Sequence, residues 1–221
     1  MWELYAPHHN VEQGEFLERA QGFDRTALLR SLRTGALVGF TGLRYWHVPM
    51  PGGGKALTLY LGQTFVTEAY RGHDFVQKTV IRTTLLPWLL TPWMSVYFWS
   101  DCISYKPYLL AARNLGRFFP SPHWTTPSRE RHVIDSLGNR YYGDDYRPDS
   151  GTVVKKSNRL RDHVAPLTDE MMQDPHIQFY AESNPGYQHG DGLIALYPAT
   201  FSNLIHFLKR RIKQLLRGKK R

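Results

Sequence analysis

The hydrophobic period of the chain changes abruptly near its middle. Residues Ala56–Val66 are rich in β-branched, aromatic and apolar side chains, a composition that suits a central β-strand. A few residues later, Asp74–Leu86 spaces its apolar side chains as one face of a helix does. A strand that runs directly into a helix predicts an α/β protein. The segments on either side must then supply the other strands and helices of the same domain.

The neighbouring segments extend this unit into a longer series. Two apolar runs on either side of a polar turn at Arg33–Gly35 have the pattern of a β-hairpin. The predicted elements are a helix over Gln13–Gln21, strands over Thr26–Arg30, Ala36–Leu43 and Ala56–Val66, a helix over Asp74–Leu86, a strand over Met94–Trp99 and a helix over Tyr108–Leu115. After the first helix, the predicted order is β-β-β-α-β-α.

Residues 120–198 contain more turn-forming residues than the segments before them. Short apolar runs between these turns predict three further strands, at Tyr141–Tyr142, Ile177–Tyr180 and Leu193–Tyr197. A length of 221 residues leaves little room for two domains. We therefore expect one domain over 1–198, with a core at 13–145 and an extension at 146–198, followed by a tail at 199–221.

The composition is that of a folded chain, with 42% hydrophobic and 14% aromatic residues. The formal net charge is +9, but residues 201–221 hold eight Lys or Arg and no acid. The remaining 20 basic and 19 acidic residues nearly balance, so the main domain lacks the basic footprint of a nucleic-acid-binding protein. Nucleic acid is therefore not an expected partner. The ten histidines show no ligand pair at helical spacing, and no metal is predicted.

Three observations bear on the compartment. Cys102 is the only cysteine, which excludes an intrachain disulfide and favours a reducing, cytoplasmic location. The first eleven residues carry no apolar run of the kind found in secretory signals. The most apolar stretch, Leu85–Trp99, is interrupted by prolines and is too short to span a bilayer.

The tail has the pattern of a basic amphipathic helix. Its apolar residues recur at helical spacing from Phe201 to Leu216, and basic residues occupy the remaining positions. Such a helix adsorbs to anionic bilayers, so we expect residues 201–221 to attach the protein to the inner face of the membrane. The alternatives are a helix packed on the domain, with a solvated basic end, and a tail that binds nucleic acid or an acidic protein.

The junction between the central strand and its helix carries the most specific motif. It reads Val66-Thr-Glu-Ala-Tyr-Arg71-Gly72-His73-Asp-Phe-Val. A loop that enters a helix offers backbone N–H groups and a positive dipole to an anion such as a pyrophosphate, and Arg71 would add a charge-assisted contact. The segment resembles the acyl-donor loop V-x-P-x-Y-R-G-x-G-x-G/A of the GNAT superfamily of acyltransferases, which Arg71 and Gly72 match by position.

The resemblance implies both a fold and an activity. It implies an α/β (α+β) domain with a mixed, mainly antiparallel central sheet flanked by helices, to which the C-terminal basic amphipathic helix is appended. It also implies transfer of an acyl group from a thioester, either acetyl-CoA, another acyl-CoA or an acyl carrier protein, to an amine or hydroxyl of a small-molecule or lipid acceptor. Val66, Arg71, Gly72 and His73 would bind the donor. The family's later glycines fall on Asp74 and Val76, so the alternative is a GNAT-shaped binding module without turnover.

The catalytic groups are less clearly marked than the donor loop. The tyrosine with which many members of the family protonate the leaving thiolate aligns with Ala112, so Tyr105, Tyr108 or Asp101 would have to replace it. Glu68 or His73 would serve as the base that removes a proton from the acceptor. Each also has an ordinary structural interpretation, as a helix-packing tyrosine, a capping aspartate or a solvated loop residue.

Overall fold

The computed structural model describes residues 1–91, 93–157, 159–161 and 165–218. Within these ranges the chain forms nine strands and seven α-helices. The strands are β1 (His9–Asn10), β2 (Arg25–Arg30), β3 (Leu37–Pro49), β4 (Lys55–Val66), β5 (Val96–Cys102), β6 (Tyr146–Arg147), β7 (Thr152–Val153), β8 (Arg159–Leu160) and β9 (Gly192–Pro198). The helices are α1 (Trp2–Tyr5), α2 (Gln13–Gln21), α3 (Phe75–Leu90), α4 (Tyr105–Asn114), α5 (Ser128–Tyr142), α6 (Pro175–Ser183) and α7 (Phe201–Gly218).

Seven of the strands form one mixed, mostly antiparallel sheet. Their order across the sheet is β2-β3-β4-β5-β9-β7-β6, and β1 and β8 pair separately with each other. The only parallel pair of this sheet in the described chain is β4 and β5, which α3 connects. The protein is therefore a mixed α/β fold with helices on its sheet.

The strands β4 and β5 separate part-way along their length. They pair only from Leu57 to Tyr60 on β4 and from Val96 to Trp99 on β5, although β4 continues to Val66. On its other edge β4 carries a β-bulge, where Gln63 and Thr64 lie opposite one residue of β3. Gln63 has a positive φ of 45° there. A bulge bends its strand, and the bend turns the end of β4 away from β5.

The core lies on both sides of the sheet, because successive side chains of a strand point to opposite faces. One cluster packs Trp99, Ile194 and Leu196 against α5. A second cluster packs Leu193, Ala195 and Tyr197 against α4 and α6. A smaller aromatic cluster joins α1 and α2 to β3 and β4 through Tyr5, Phe16, Phe40 and Phe65.

The predicted order β-β-β-α-β-α is present as β2, β3, β4, α3, β5 and α4, and the helix predicted over Gln13–Gln21 is α2. Leu193–Tyr197 lies within β9 as expected. Two other predicted strands are wrong: Tyr141–Tyr142 is the last part of α5, and Ile177–Tyr180 is the middle of α6. Helix α3 also continues past Pro87 to Leu90, where the predicted helix ended at Leu86.

No helix within the described ranges is both long and apolar enough to cross a membrane. Residues 219–221, the end of the predicted tail, lie outside the described residues, as do the side chains of 214–218.

Candidate functional site

A cavity of about 610 Å³ opens where β4 and β5 part. It is lined on one side of the sheet by Phe98, Ser100 and residues of α3, α4 and α7. On the other side it is lined by Tyr60 and Asp101 together with the N-terminal segment. Since Ser100 and Asp101 are neighbours on one strand, their side chains point to opposite faces. The cavity therefore passes through the gap in the sheet.

The junction loop forms one mouth of the cavity. Val66, Arg71, Gly72 and His73 all lie on its wall. Arg71 Nε donates to the Val66 carbonyl at 3.2 Å, which folds the arginine back over the end of β4. Gly72 has a φ of 84°, a left-handed conformation that glycine adopts without steric cost.

A second cation faces the same mouth. Lys106, in the first turn of α4, lines the cavity. Partial burial and the nearby positive charge of Arg71 lower the pKa of Lys106. Arg71 and Lys106 are close enough to influence each other, and the negative charge of Glu68 acts on Lys106 in the opposite direction. The two cations make this mouth a candidate site for an anionic group. Sequence patterns gave no signal for Lys106, which lies far from Arg71 along the chain.

Asp74 is neutralised by a residue of the C-terminal helix. It precedes α3 in a left-handed conformation with a φ of 56°, and its carboxylate forms an ion pair with Arg211 of α7. An unpaired acid at this position would repel the phosphates of a nucleotide donor. The ion pair reduces that repulsion, so Asp74 is compatible with an anion at this mouth.

A buried ion pair lies on the opposite side of the gap. The Asp101 carboxylate pairs with the Lys155 ammonium and accepts a hydrogen bond from the Tyr60 hydroxyl at 2.7 Å. Burial alone would raise the pKa of Asp101, but Lys155 and the hydroxyls of Tyr60 and Tyr142 together lower it. Burial and the Asp101 charge raise the pKa of Tyr60 well above its ordinary value. At neutral pH Asp101 is therefore ionised, and Tyr60 keeps its proton.

Further polar groups surround this pair. Gln63 lines the cavity and is 8% exposed; its Nε2 donates to the Phe16 carbonyl at 3.2 Å, while its Oε1 has no hydrogen-bond partner among the described residues. His9 also lines this side, stacked on Tyr5 at 3.6 Å, and burial lowers the pKa of His9 to about 4. This part of the cavity therefore presents hydrogen-bond acceptors, with Asp101 as its one carboxylate among the described lining residues.

Hydroxyl groups lie on the α4 side of the gap. Ser100 Oγ and the Tyr197 hydroxyl are 3.0 Å apart, and both residues line the cavity. Burial and the neighbouring Cys102 raise the pKa of Tyr197 well above its ordinary value, so this hydroxyl stays protonated. Cys102 is fully buried beside them, and burial raises its pKa to about 11. Since the thiolate is the nucleophilic form, burial and the raised pKa disfavour Cys102 as a nucleophile.

No protein-family model matches this chain, and no curated protein matches it in sequence. A functional assignment therefore depends on the geometry of the cavity and on the residues that line it.

The predicted catalytic residues do not lie together in one site. Asp101 lies at the gap, but Glu68 is exposed on a short 3₁₀-helix and is not on the cavity wall. Tyr105 is buried with its hydroxyl 3.5 Å from the Met171 sulfur. Tyr108 is buried and donates to the Pro120 carbonyl at 3.1 Å. Both tyrosines pack the interface of α4 with neighbouring segments, and neither lines the cavity.

The sequence interpretation missed the residues that lower the pKa of Asp101. Lys155 lies in a turn-rich segment with no motif, and Tyr60 reads as one aromatic residue among several in a strand. Their proximity depends on the parallel pairing of β4 with β5 and on the return of β7 and β9 to the sheet. Only the alternation of side chains along β4 and β5 could have given a signal. It places Tyr60 and Asp101 on the opposite face of the sheet from the residues next to them in their own strands.

Proposed function

We propose that this protein is a GNAT-like acyltransferase that moves an acyl group from a thioester donor to an amine acceptor. The observation that carries the proposal is the cavity that runs from the Arg71–Gly72 loop through the gap between β4 and β5 to Asp101. The order β-β-β-α-β-α supports the family assignment, since it matches the elements on which the resemblance depends.

The mouth at Arg71 suits the phosphates of a CoA donor or the phosphopantetheine of an acyl carrier protein. Arg71 and Lys106 supply two positive charges there, and the loop before α3 supplies backbone N–H groups near a helix N-terminus. The pantetheine would then extend from this mouth towards Ser100. The thioester carbonyl would reach the gap in the sheet.

The gap is where the backbone can stabilise charge. Beyond Tyr60 and Trp99, β4 and β5 no longer pair with each other, and in the proposed complex their facing peptide groups would bind the thioester. An N–H group aimed at the carbonyl oxygen would stabilise the negative charge that develops as the acceptor attacks. The new bond forms at the carbonyl carbon, the C–S bond breaks, and the thiolate leaves on the side of Ser100 and Tyr197.

The groups on the Asp101 side favour an amine as acceptor. The Asp101 carboxylate and Gln63 Oε1 accept hydrogen bonds, and an amine brings the donors that both groups need. Asp101 is ionised at neutral pH and would accept the proton that the amine releases. The hydroxyls of Ser100 and Tyr197 would donate hydrogen bonds to the leaving thiolate, which takes its proton from solvent.

Thermal unfolding with and without CoA, acetyl-CoA and longer acyl-CoA tests the donor site. A ligand at 100 times its dissociation constant adds about 2.7 kcal/mol of stability, so we expect a clear rise in melting temperature. Arg71→Ala should abolish the rise, whereas Arg82→Ala should not, because Arg82 is an exposed arginine of α3 outside the cavity wall. No rise with any thioester would contradict the proposal.

One observation favours the alternative of a binding module without turnover. Neither Tyr105 nor Tyr108 reaches the cavity, so the α4 tyrosines cannot protonate a thiolate there. Release of free CoA from bound acyl-CoA in the presence of a panel of amines separates the two functions. Arg71-dependent binding with no CoA release from any amine would support the module.

We also propose that α7 attaches the protein to an anionic membrane. Its residues Phe201, Ile205, Leu208 and Ile212 are 49–67% exposed, and Lys209 and Lys213 lie beside them. The nearby end of α3 adds exposed apolar side chains at Leu89 and Leu90. Apolar and basic groups together on one surface are the combination that binds anionic bilayers.

A further inference from the structure

One part of the cavity wall, which we call the apolar branch, includes residues of α7. It is lined by Thr84 and Trp88 of α3 and by Leu204 and Phe207 of α7. Phe98, Tyr197, Leu110, Ala111 and Leu115 also line it. None of these residues is charged. The branch therefore differs in character from the cationic mouth and from the Asp101 side.

Helix α7 contacts α3 at two places, near the start of α7 and at its middle. Near its start, Phe201 contacts the Trp88 ring at 4.4 Å between centroids. Ten residues further along α7, Arg211 forms an ion pair with Asp74 at the beginning of α3. From Asp74 to Trp88 the helix rises by about 20 Å. The cavity follows α3 over much of this length, from Phe75 to Trp88.

Three polar side chains on the wall of this branch form hydrogen bonds with the protein backbone. Thr84 Oγ1 donates to the Val80 carbonyl at 2.7 Å. Asn114 donates to the Leu110 carbonyl at 2.6 Å. Asn203 donates to the carbonyls of Arg117 and Pro198 and accepts from the Arg117 N–H, each at 2.8 Å. A pantetheine amide, a sugar or a nucleotide base would find few polar partners here, whereas a hydrocarbon needs none.

We infer that this branch holds the acyl chain of a fatty-acyl thioester, with residues of α7 in its wall. The inference rests on the proposed acyl transfer and names the substrate class. An acetyl group would leave the branch empty, while a chain of about ten further carbons would bury its surface against Trp88, Leu204 and Phe207. Each buried methylene strengthens binding roughly fourfold.

Calorimetric titration of the full chain with acetyl-CoA and dodecanoyl-CoA, below the concentration at which the latter forms micelles, tests the inference. We expect dodecanoyl-CoA to bind at least about 100-fold more tightly, a fraction of the gain that ten methylenes could supply. Leu204→Trp should fill the branch and reduce this ratio to about ten or less. Ile205→Trp is the matched control, because Ile205 is 50% exposed on the same helix.

Ala111→Phe fills the branch from α4 and should have the same effect if Leu204→Trp does not fold. Equal affinity for the two thioesters, both lost in Arg71→Ala, would overturn the acyl-chain inference while the donor site stands. Sodium dodecanoate provides the converse test. The protein could bind dodecanoate but no thioester, with dodecanoate binding weakened by Leu204→Trp. That result would support the hydrocarbon site and contradict acyl transfer.

Discussion

Asp101 and Lys155 form a buried ion pair at the gap between β4 and β5. Their side chains are 12% and 5% exposed, so neither charge is well solvated without the other. The Tyr60 hydroxyl and the Tyr142 ring, whose centroid is 4.6 Å from Lys155 Nζ, complete the surroundings of the pair. Replacement of such a pair by apolar residues would often be neutral for stability. In the proposed acyl transfer, this pair would lie where the acceptor binds, at the gap between β4 and β5.

Asp101→Asn should destabilise the protein by about 3–5 kcal/mol, because it leaves the Lys155 ammonium buried without a counter-charge. The pKa of Asp101 is lowered in the folded state, so its contribution is complete above the ordinary aspartate range and is lost as pH falls through the lowered value. Urea unfolding at pH 7 and pH 3 should show a smaller difference between wild type and variant at the lower pH.

Asp145→Asn is the control for this experiment. Asp145 pairs with Lys156, whose side chain is 77% exposed, so its loss should cost no more than about 1 kcal/mol. Equal effects of the two substitutions would show that burial of the Asp101 pair is energetically unimportant.

His9 gives the protein a second pH dependence. Its pKa falls to about 4 on burial, from an ordinary value of 6.5. Between these two values the unfolded chain binds the proton more readily, so stability decreases as pH is lowered, by about 2 kcal/mol between pH 7 and pH 5. His9→Gln should show a correspondingly weaker decrease in urea unfolding, whereas His47→Gln, at an exposed position, should follow wild type.

At the scale of elements, the strands and helices from α2 to α4 could be predicted because each has a clear hydrophobic period. The wrong predictions lie where residue type and period disagree. Tyr141 and Tyr142 favour a strand by type, but Val133, Ile134 and Leu137 establish the helical period of α5 before them. The signal for α6 was present in Asp174, whose side chain accepts from the His176 N–H at 2.9 Å as an N-cap.

The shortest strands could not be predicted. β1, β6, β7 and β8 each contain two residues, and such pairs are determined by the strands beside them. The same limit applies to the candidate site. Arg71 and Gly72 lie in a recognisable local motif, whereas Lys155 and Arg211 reach the site only through tertiary packing.

Asn203 anchors the beginning of α7. It is 3% exposed, and its side chain makes three hydrogen bonds to the backbone of Arg117 and Pro198. Asn203→Ala leaves those backbone groups unsatisfied and should destabilise the protein by about 2–3 kcal/mol in urea unfolding. Ser202→Ala, at an exposed position of the same helical turn, should have little effect. If both variants unfold alike, the anchor is not important for α7.

At the scale of the whole molecule, α7 contacts both the interior and the surface. Leu204 and Phe207 line the cavity, while Phe201, Ile205, Leu208 and Ile212 face outward. The apolar residues of α7 therefore cover more of the helix circumference than packing against the cavity requires. Helix α7 therefore lies between the cavity and an exposed apolar surface. Contact of the outer side with a bilayer would bring the cavity close to lipid.

The membrane proposal predicts that the full chain partitions onto vesicles that contain phosphatidylglycerol and much less onto vesicles of phosphatidylcholine alone. Each basic residue near an anionic surface contributes roughly 1 kcal/mol, so Lys209→Gln with Lys213→Gln should weaken partitioning by roughly 30-fold. The matched control removes two exposed charges elsewhere, in Arg33→Gln with Lys156→Gln. Sedimentation with vesicles at low and high salt measures the effect. Partitioning that is equal on both lipids and insensitive to salt would mean that the basic residues of α7 do not bind the membrane.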